Sequence, residues 1–176
     1  MKNLLSLLLL SVIVFSLYSC EKEEDDGSAA LCNNGILDGR ETEIDCGGAC
    51  TACPAAATFE CTLGNTDFIS TNARGYILGP SIRIAGVDFE GRPMNFMFLK
   101  PQGSDVTLPI SGGGFSYQGE PYSKGSDDTG HVIITAHDTL RKIISGRFGF
   151  SGNRVASNRE DIVKDGTFTN VRYGDK

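Results

Sequence analysis

The sequence predicts an all-β protein: an antiparallel β-sandwich or barrel of about nine or ten strands, with a small disulfide-stapled segment before it. Three observations predict this class. From Thr58 onward apolar residues recur at every second position, the period of a half-buried strand. Turn residues, above all the 22 glycines, interrupt these runs at short intervals, and no stretch reads as a convincing helix. The 119 residues from Thr58 to Lys176 are enough to bury a core of their own.

Taken in order, the chain opens with an export signal over 1–19. Lys2 supplies a basic start and an apolar run follows from Leu4 to Leu17, shorter than the roughly 20 residues of a membrane span. Leu17-Tyr18-Ser19-Cys20 closes the run. An ordinary secretory signal would make Cys20 merely the first mature residue. The pattern Leu-x-Ser-Cys resembles the lipobox of bacterial lipoproteins. That resemblance implies cleavage before Cys20 and acylation of Cys20, hence a membrane partner through a lipid anchor. Several acyl chains anchor stably, because each buried CH₂ contributes about 0.8 kcal/mol.

An acidic tether occupies 20–31, with Glu21-Lys22-Glu23-Glu24-Asp25-Asp26 at its start. Such a charge run is a solvated spacer on physical grounds. Lys22, Glu23 and Glu24 also resemble the lysine-plus-two-acids export signal of Bacteroidota lipoproteins. This implies an outer-membrane protein facing the cell exterior. The formal net charge of −6 is unevenly spread: residues 21–45 hold nine acids and two bases, whereas 46–176 hold thirteen of each. A neutral main domain carries no electrostatic footprint for nucleic acid.

Residues 32–53 form a cysteine-rich module with Cys32, Cys46, Cys50 and Cys53. Too few apolar residues lie between them for a core, and small exported units of this kind are held by disulfides. Two disulfides among four cysteines allow three connectivities. Cys32–Cys50 with Cys46–Cys53 is preferred, because a crossed pair holds so short a loop best. Zinc is the competing reading of Cys46-x3-Cys50-x2-Cys53, and a redox Cys50-x2-Cys53 pair is another. The expectation is no metal and no cofactor. Asp38, Glu41, Glu43 and Asp45 could gather around Ca²⁺, although their spacing is not that of an EF-hand and solvated acids are the simpler reading. The segment resembles a short cysteine module of secreted bacterial proteins, matching at Cys32, Asn34, Gly35, Gly39, Glu41, Thr42, Asp45, Cys46, Gly47, Gly48, Cys50 and Cys53. That resemblance implies a linker-like unit found beside unrelated domains.

Pro54-Ala55-Ala56-Ala57 reads as a linker over 54–57, and the β domain runs over 58–176. Phe59, Cys61 and Leu63 share one strand face, so Cys61 reads as a buried free thiol; pairing with the module is the alternative. Ile82 and Ile84 oppose Ser81 and Arg83. Glu90-Gly91 turns the chain into Met94, Phe96 and Phe98. Val132, Ile134 and Ala136 alternate with His131, Ile133 and Thr135. Asp138 to Arg141 lead to a strand in which Ile144, Phe148 and Phe150 oppose Ser145, Arg147 and Ser151. Asp165-Gly166 reads as a hairpin turn, because glycine tolerates the positive φ of a type I′ turn.

Two stretches at the ends of the domain, Cys61-Thr62-Leu63-Gly64-Asn65-Thr66-Asp67-Phe68 and Asp165-Gly166-Thr167-Phe168-Thr169-Asn170-Val171, flank Gly130 to Thr135, Asp138 and Ile144 to Phe150. Together they resemble a family of small Bacteroidota surface lipoproteins defined only as a domain of unknown function. The resemblance spans 58–176 and implies the β class and the surface address, with no activity attached.

Residues with chemistry are sparse. His131 and His137 are the only histidines. On one strand, facing away from Val132 and Ile134, they would lie about 20 Å apart, too far to share a metal. Ser111-Gly112-Gly113-Gly114 reads as a flexible loop, since no helix or Gly-Lys-Ser/Thr element follows. Asp127-Asp128 reads as solvated surface, and no G-x-S-x-G elbow is present. The expectation is a non-enzymatic binding or interaction module for a glycan or protein ligand. A structural or accessory envelope lipoprotein is the alternative, and an enzyme a third. Without Trp, the aromatic candidates for a ligand platform are Tyr117 and Tyr122, as an exposed pair. The oligomeric state is not legible.

Overall fold

The computed structural model describes residues 32, 34–38, 41–124, 130–157 and 160–175. The export signal, Cys20, Lys22, Glu23, Glu24 and Asp127-Asp128 lie outside the described residues. The described chain is all-β, with ten strands in one sheet and no helix. In order they are β1 (Thr58–Leu63), β2 (Thr66–Ser70), β3 (Arg74–Leu78), β4 (Ser81–Val87), β5 (Pro93–Leu99), β6 (Val106–Tyr117), β7 (Glu120–Lys124), β8 (His131–Asp138), β9 (Ile143–Arg154) and β10 (Glu160–Gly174).

The sheet closes on itself. From β3 the ladder runs through β4, β5 and β6, crosses to β9, and returns through β10 to β3. Between β6 and β9 the gap is filled end to end. β8 pairs with the first part of each long strand, β7 with the last part. The result is a barrel, with the β1–β2 hairpin hydrogen-bonded to β10 as a flap. Every pairing is antiparallel except one. β10 and β3 run parallel at Tyr173↔Gly75 and Gly174↔Tyr76, a short join that completes the ring.

Alternation builds the core. Phe59, Phe68, Phe96, Phe98 and Phe168 are essentially fully buried, with Leu63, Ile82, Ile84, Ile134 and Ile144. Phe96 sits at the centre, 4.4 Å from the Phe148 ring and 5.8 Å from those of Phe98 and Phe168. Each such pair adds about 0.5–1.5 kcal/mol beyond burial itself. The period-two faces expected for 59–63, 82–84, 94–98 and 144–150 are those observed.

Two expectations need correction. Asp165-Gly166 is not a hairpin turn. β10 continues through it, paired with β9 on one side and β1 on the other. The pair is a bulge: Asp165 has φ 52°, and the register to β9 shifts between Val163 and Gly166. A Cβ on Gly166 would stand 2.6 Å from the Phe148 ring and from its carbonyl oxygen, so the position has room only for glycine. Ser111 to Gly114 is likewise not a loop but part of β6. There a bulge between Met97 and Phe98 shifts the pairing to β5, and a Cβ on Gly114 would meet the Tyr122 carbonyl oxygen at 2.5 Å. The glycines let β5 and β7 approach β6 closely.

The cysteine module lies against this barrel. Its bonds are Cys32–Cys50 and Cys46–Cys53, with Cα–Cα separations of 5.6 and 4.9 Å, the crossed connectivity expected above. Cys61 is a buried free thiol. Polar contacts among the described residues join module and linker to the barrel. Arg172 donates to Glu43 at 3.2 Å, Arg141 to Thr51 Oγ1 at 3.2 Å, and Asn170 Nδ2 to the Ala55 carbonyl at 3.2 Å.

Candidate functional site

On the outside of the barrel, β3, β4 and β5 carry a cleft of about 540 Å³. Its floor follows from register. Gly79-Pro80 turns β3 into β4 so that Tyr76 pairs with Arg83 and Arg74 with Ala85. β5 continues the rows, with Met97 beside Arg83 and Asn95 beside Ala85. Cross-strand neighbours lie about 4.8 Å apart and alternate residues of one strand about 6.7 Å apart. Arg74 and Arg83 therefore flank Tyr76, one along its own strand and one across to the next. Small Ala85 stands opposite Arg74 and two residues along β4 from Arg83. Leu78, Val87 and Pro93 add apolar wall, and Asn72 closes the end.

The electrostatics of this cleft are one-sided. None of the described residues lining it is acidic. Arg74 and Arg83 are exposed, and neither makes an ion pair among the described residues. Arg92 pairs with Asp88, Arg154 with Glu120 and Arg172 with Glu43, whereas Arg141 and Arg147, outside this cleft, also make no ion pair among the described residues. A guanidinium without a partner offers a planar fork matched to carboxylate or phosphate. Half-buried Tyr76 offers a flat apolar face with a polar tip. Asn72 accepts from Val87 N and Ser70 Oγ through Oδ1, which fixes the amide and leaves its NH₂ group for a ligand.

A second cleft of about 360 Å³ adjoins the first, and Arg74 and Tyr76 line both. Its other walls are the module (Gly35, Ile44, Asp45) and the barrel rim (Leu140 to Lys142, Tyr173). Asp45, buried and with φ 58°, accepts from Gly35 N at 2.8 Å.

The residues anticipated from sequence fall elsewhere. Tyr117 and Tyr122 are not an exposed platform; both are buried in the core. The β6–β7 pairing turns Phe115, Tyr117 and Tyr122 inward, and the Phe115 and Tyr122 rings stack at 4.9 Å. His131 lies on the outer face as expected. His137 does not: a bulge between Ile134 and Ala136 reverses the alternation, exposing Ala136 and turning His137 toward its partner Ile144. There Nε2 lies 2.7 Å from Tyr173 Oη, while buried Nδ1 has no hydrogen-bond partner. Burial, then Lys100, pulls the imidazole pKa below its ordinary value against the opposing pull of Asp138. Burial, then Asp138, pushes the Tyr173 phenol up.

The module's acids are engaged within the module or against the barrel. Glu41 Oε2 accepts from Asp45 N at 3.1 Å, and Glu43 pairs with Arg172. The ligand-type clusters among the described residues, Cys32–Glu41–Cys50 and Glu43–Cys46–Cys53, are each built around a disulfide. Disulfide sulfur is not the thiolate that binds metal.

Sequence reading missed Arg74, Tyr76 and Arg83. A signal was present: two alternating runs joined by a two-residue Gly-Pro turn fix the pairing, and counting outward from Leu78 and Ser81 sets Tyr76 opposite Arg83. No family model, curated protein or solved structure matches this chain.

Proposed function

We propose that this chain is a lipid-anchored protein of the outer membrane, facing the cell exterior, and that its barrel is a binding module for an anionic ligand. The observation that carries the binding role is the pair of arginines flanking Tyr76 in a cleft lined by no described acid. The address rests on Cys20 and on Lys22-Glu23-Glu24 after a short apolar run. In this reading residues 20–31 hold the barrel away from the membrane and leave the outer face of β3–β5 open to the medium.

Fatty-acid labelling tests the anchor: label should be present in wild type and absent from Cys20→Ala. Intact cells test the binding role. Cells displaying the protein should retain fluorescent polyanions, and cells displaying Arg74→Gln/Arg83→Gln at equal surface level should not. Replacing Lys22, Glu23 and Glu24 with Ala should leave the protein acylated but hidden from added protease. Equal retention by the arginine variant would overturn the binding reading; equal protease sensitivity would overturn the sorting role.

A further inference from the structure

We infer that the anion is a linear acidic polysaccharide, a glycan carrying carboxylates along its length, lying across the two adjoining clefts. This rests on the anion-binding reading above and deepens it.

Three features select the ligand. The first is the spacing of charge. Arg83 and Arg74 are separated diagonally by roughly 8 Å between Cα atoms. Past Tyr76 the second cleft adds Arg141, which also donates to Thr51, and Lys142, set against buried Asp45 and exposed Asp175 in the same lining. A few bases set well apart match widely spaced anionic groups. A nucleic acid duplex presents a charge about every 1.7 Å and would find far too few partners here. The acidic segment 21–45, nine acids against two bases, would also repel so dense a polyanion more than a sparse one.

The second feature is what stands between the charges. Tyr76 neighbours both arginines, two residues along β3 from Arg74 and opposite Arg83, with Leu78 and Met97 in neighbouring outward positions. The C–H face of a pyranose ring packs on such a surface, while its hydroxyls meet the amides of Asn72 and Asn95. Carboxylates on the ring edge then reach the guanidinium forks. A small inorganic anion would leave the ring and the amides unused.

The third feature concerns peptides. β4 is hydrogen-bonded on both sides, to β3 and β5. The cleft lies on the sheet's outer face, so an extended peptide gains no backbone ladder there. The face is built for side-chain contacts to a ligand that brings its own hydroxyls.

The test is titration calorimetry on the chain without residues 1–20, using polygalacturonate oligomers as probe. Binding is expected, with a loss of at least tenfold on full methyl esterification of the probe. Arg74→Gln/Arg83→Gln should weaken binding at least tenfold. Tyr76→Ala should weaken it severalfold without changing the salt dependence. Arg147→Gln, on the outer face of β9, is the control and should bind as wild type. Polyglutamate, dextran sulfate and vesicles containing anionic lipid are the comparison ligands. If one of these binds more tightly, through Arg74 and Arg83, the glycan assignment falls and the anion-binding face stands. If no anionic probe binds, both readings fall. Binding unchanged in the arginine variant, or by the esterified probe, overturns the inference.

Discussion

Asp88 ties the β4–β5 turn together with one carboxylate. It is buried at the β4–β5 turn, where Oδ1 accepts from Glu90 N at 3.0 Å and Arg92 N at 2.8 Å. Oδ2 takes Arg92 Nε at 2.6 Å, and that arginine donates onward to the Asp67 carbonyl on β2. Asp88→Ala leaves two part-buried backbone donors without their acceptor and removes the nearer anion from Arg92, which keeps Glu90 at 3.3 Å and the Asp67 carbonyl. It should destabilise the fold by about 3 kcal/mol, read as a lower urea midpoint; Asp88→Asn should lose less. Cys61 makes a prediction of the opposite kind. Burial pushes its thiol up to about 12, with Arg92 opposing, and its Sγ lies 3.6 Å from Met94 Sδ. Iodoacetamide should leave it untouched in the native protein and alkylate it on unfolding. His137 sets a pH dependence. Its folded pKa lies below the unfolded value, so its contribution to stability is complete above about 6.5 and fades as pH falls through the lowered folded value. Between pH 7 and 5 wild type should lose more melting temperature than His137→Gln. Equal losses would show that the histidine does not titrate in this way.

At the scale of elements, β10 is the seam of the molecule. It touches β9, β1 and β3, and two left-handed residues, Asp165 and Asn170, each insert one step into its alternation. The inward positions therefore run Val163, Gly166, Phe168, Val171 and Tyr173. Gly166→Ala should destabilise by about 2–4 kcal/mol, because the added Cβ meets a backbone carbonyl that cannot yield. A denaturation midpoint within error of wild type would refute this. β10 also marks the limit of what could be read from sequence. Aspartate followed by glycine serves a type I′ turn and a bulge equally well, since both need a left-handed residue. Only the strands on either side, more than ninety residues apart for β1, decide between them. The same holds for His137, whose face was inverted by a bulge that leaves no local mark. Where alternation ran unbroken, as in Met94 to Phe98, the faces were legible residue by residue.

For the whole molecule, the class, the strand number and two disulfides in the module were legible from period, turn spacing and cysteine count. The crossed pairing was one preference among three connectivities, and the free state of Cys61 one of two readings. The site was not legible, because Arg74, Tyr76 and Arg83 acquire meaning only as a group brought together by register. Their exposure marks each of them as ordinary surface taken alone. The division into module and barrel makes its own prediction. Exposed polar pairs such as Arg172–Glu43 contribute about 0.2–1 kcal/mol each, and the contacts named across the boundary are of this kind. Residues 58–176 alone should therefore melt cooperatively, a few degrees below the full chain. A domain that needs 32–53 to fold would contradict this.

The crossed disulfides also determine how the chain transmits tension. A pull on the N-terminal segment enters at Cys32, passes through the bond to Cys50, and reaches Thr58 without loading the residues between. It then draws β1 along its own axis, between β10 and β2. The ladder bonds are strained together in shear instead of parting one after another. Reduction would release the slack: 18 residues at about 3.4 Å each, less the 5.6 Å already spanned, adds roughly 55 Å of reach. Single-molecule pulling with and without reductant should show this added length before the barrel itself yields.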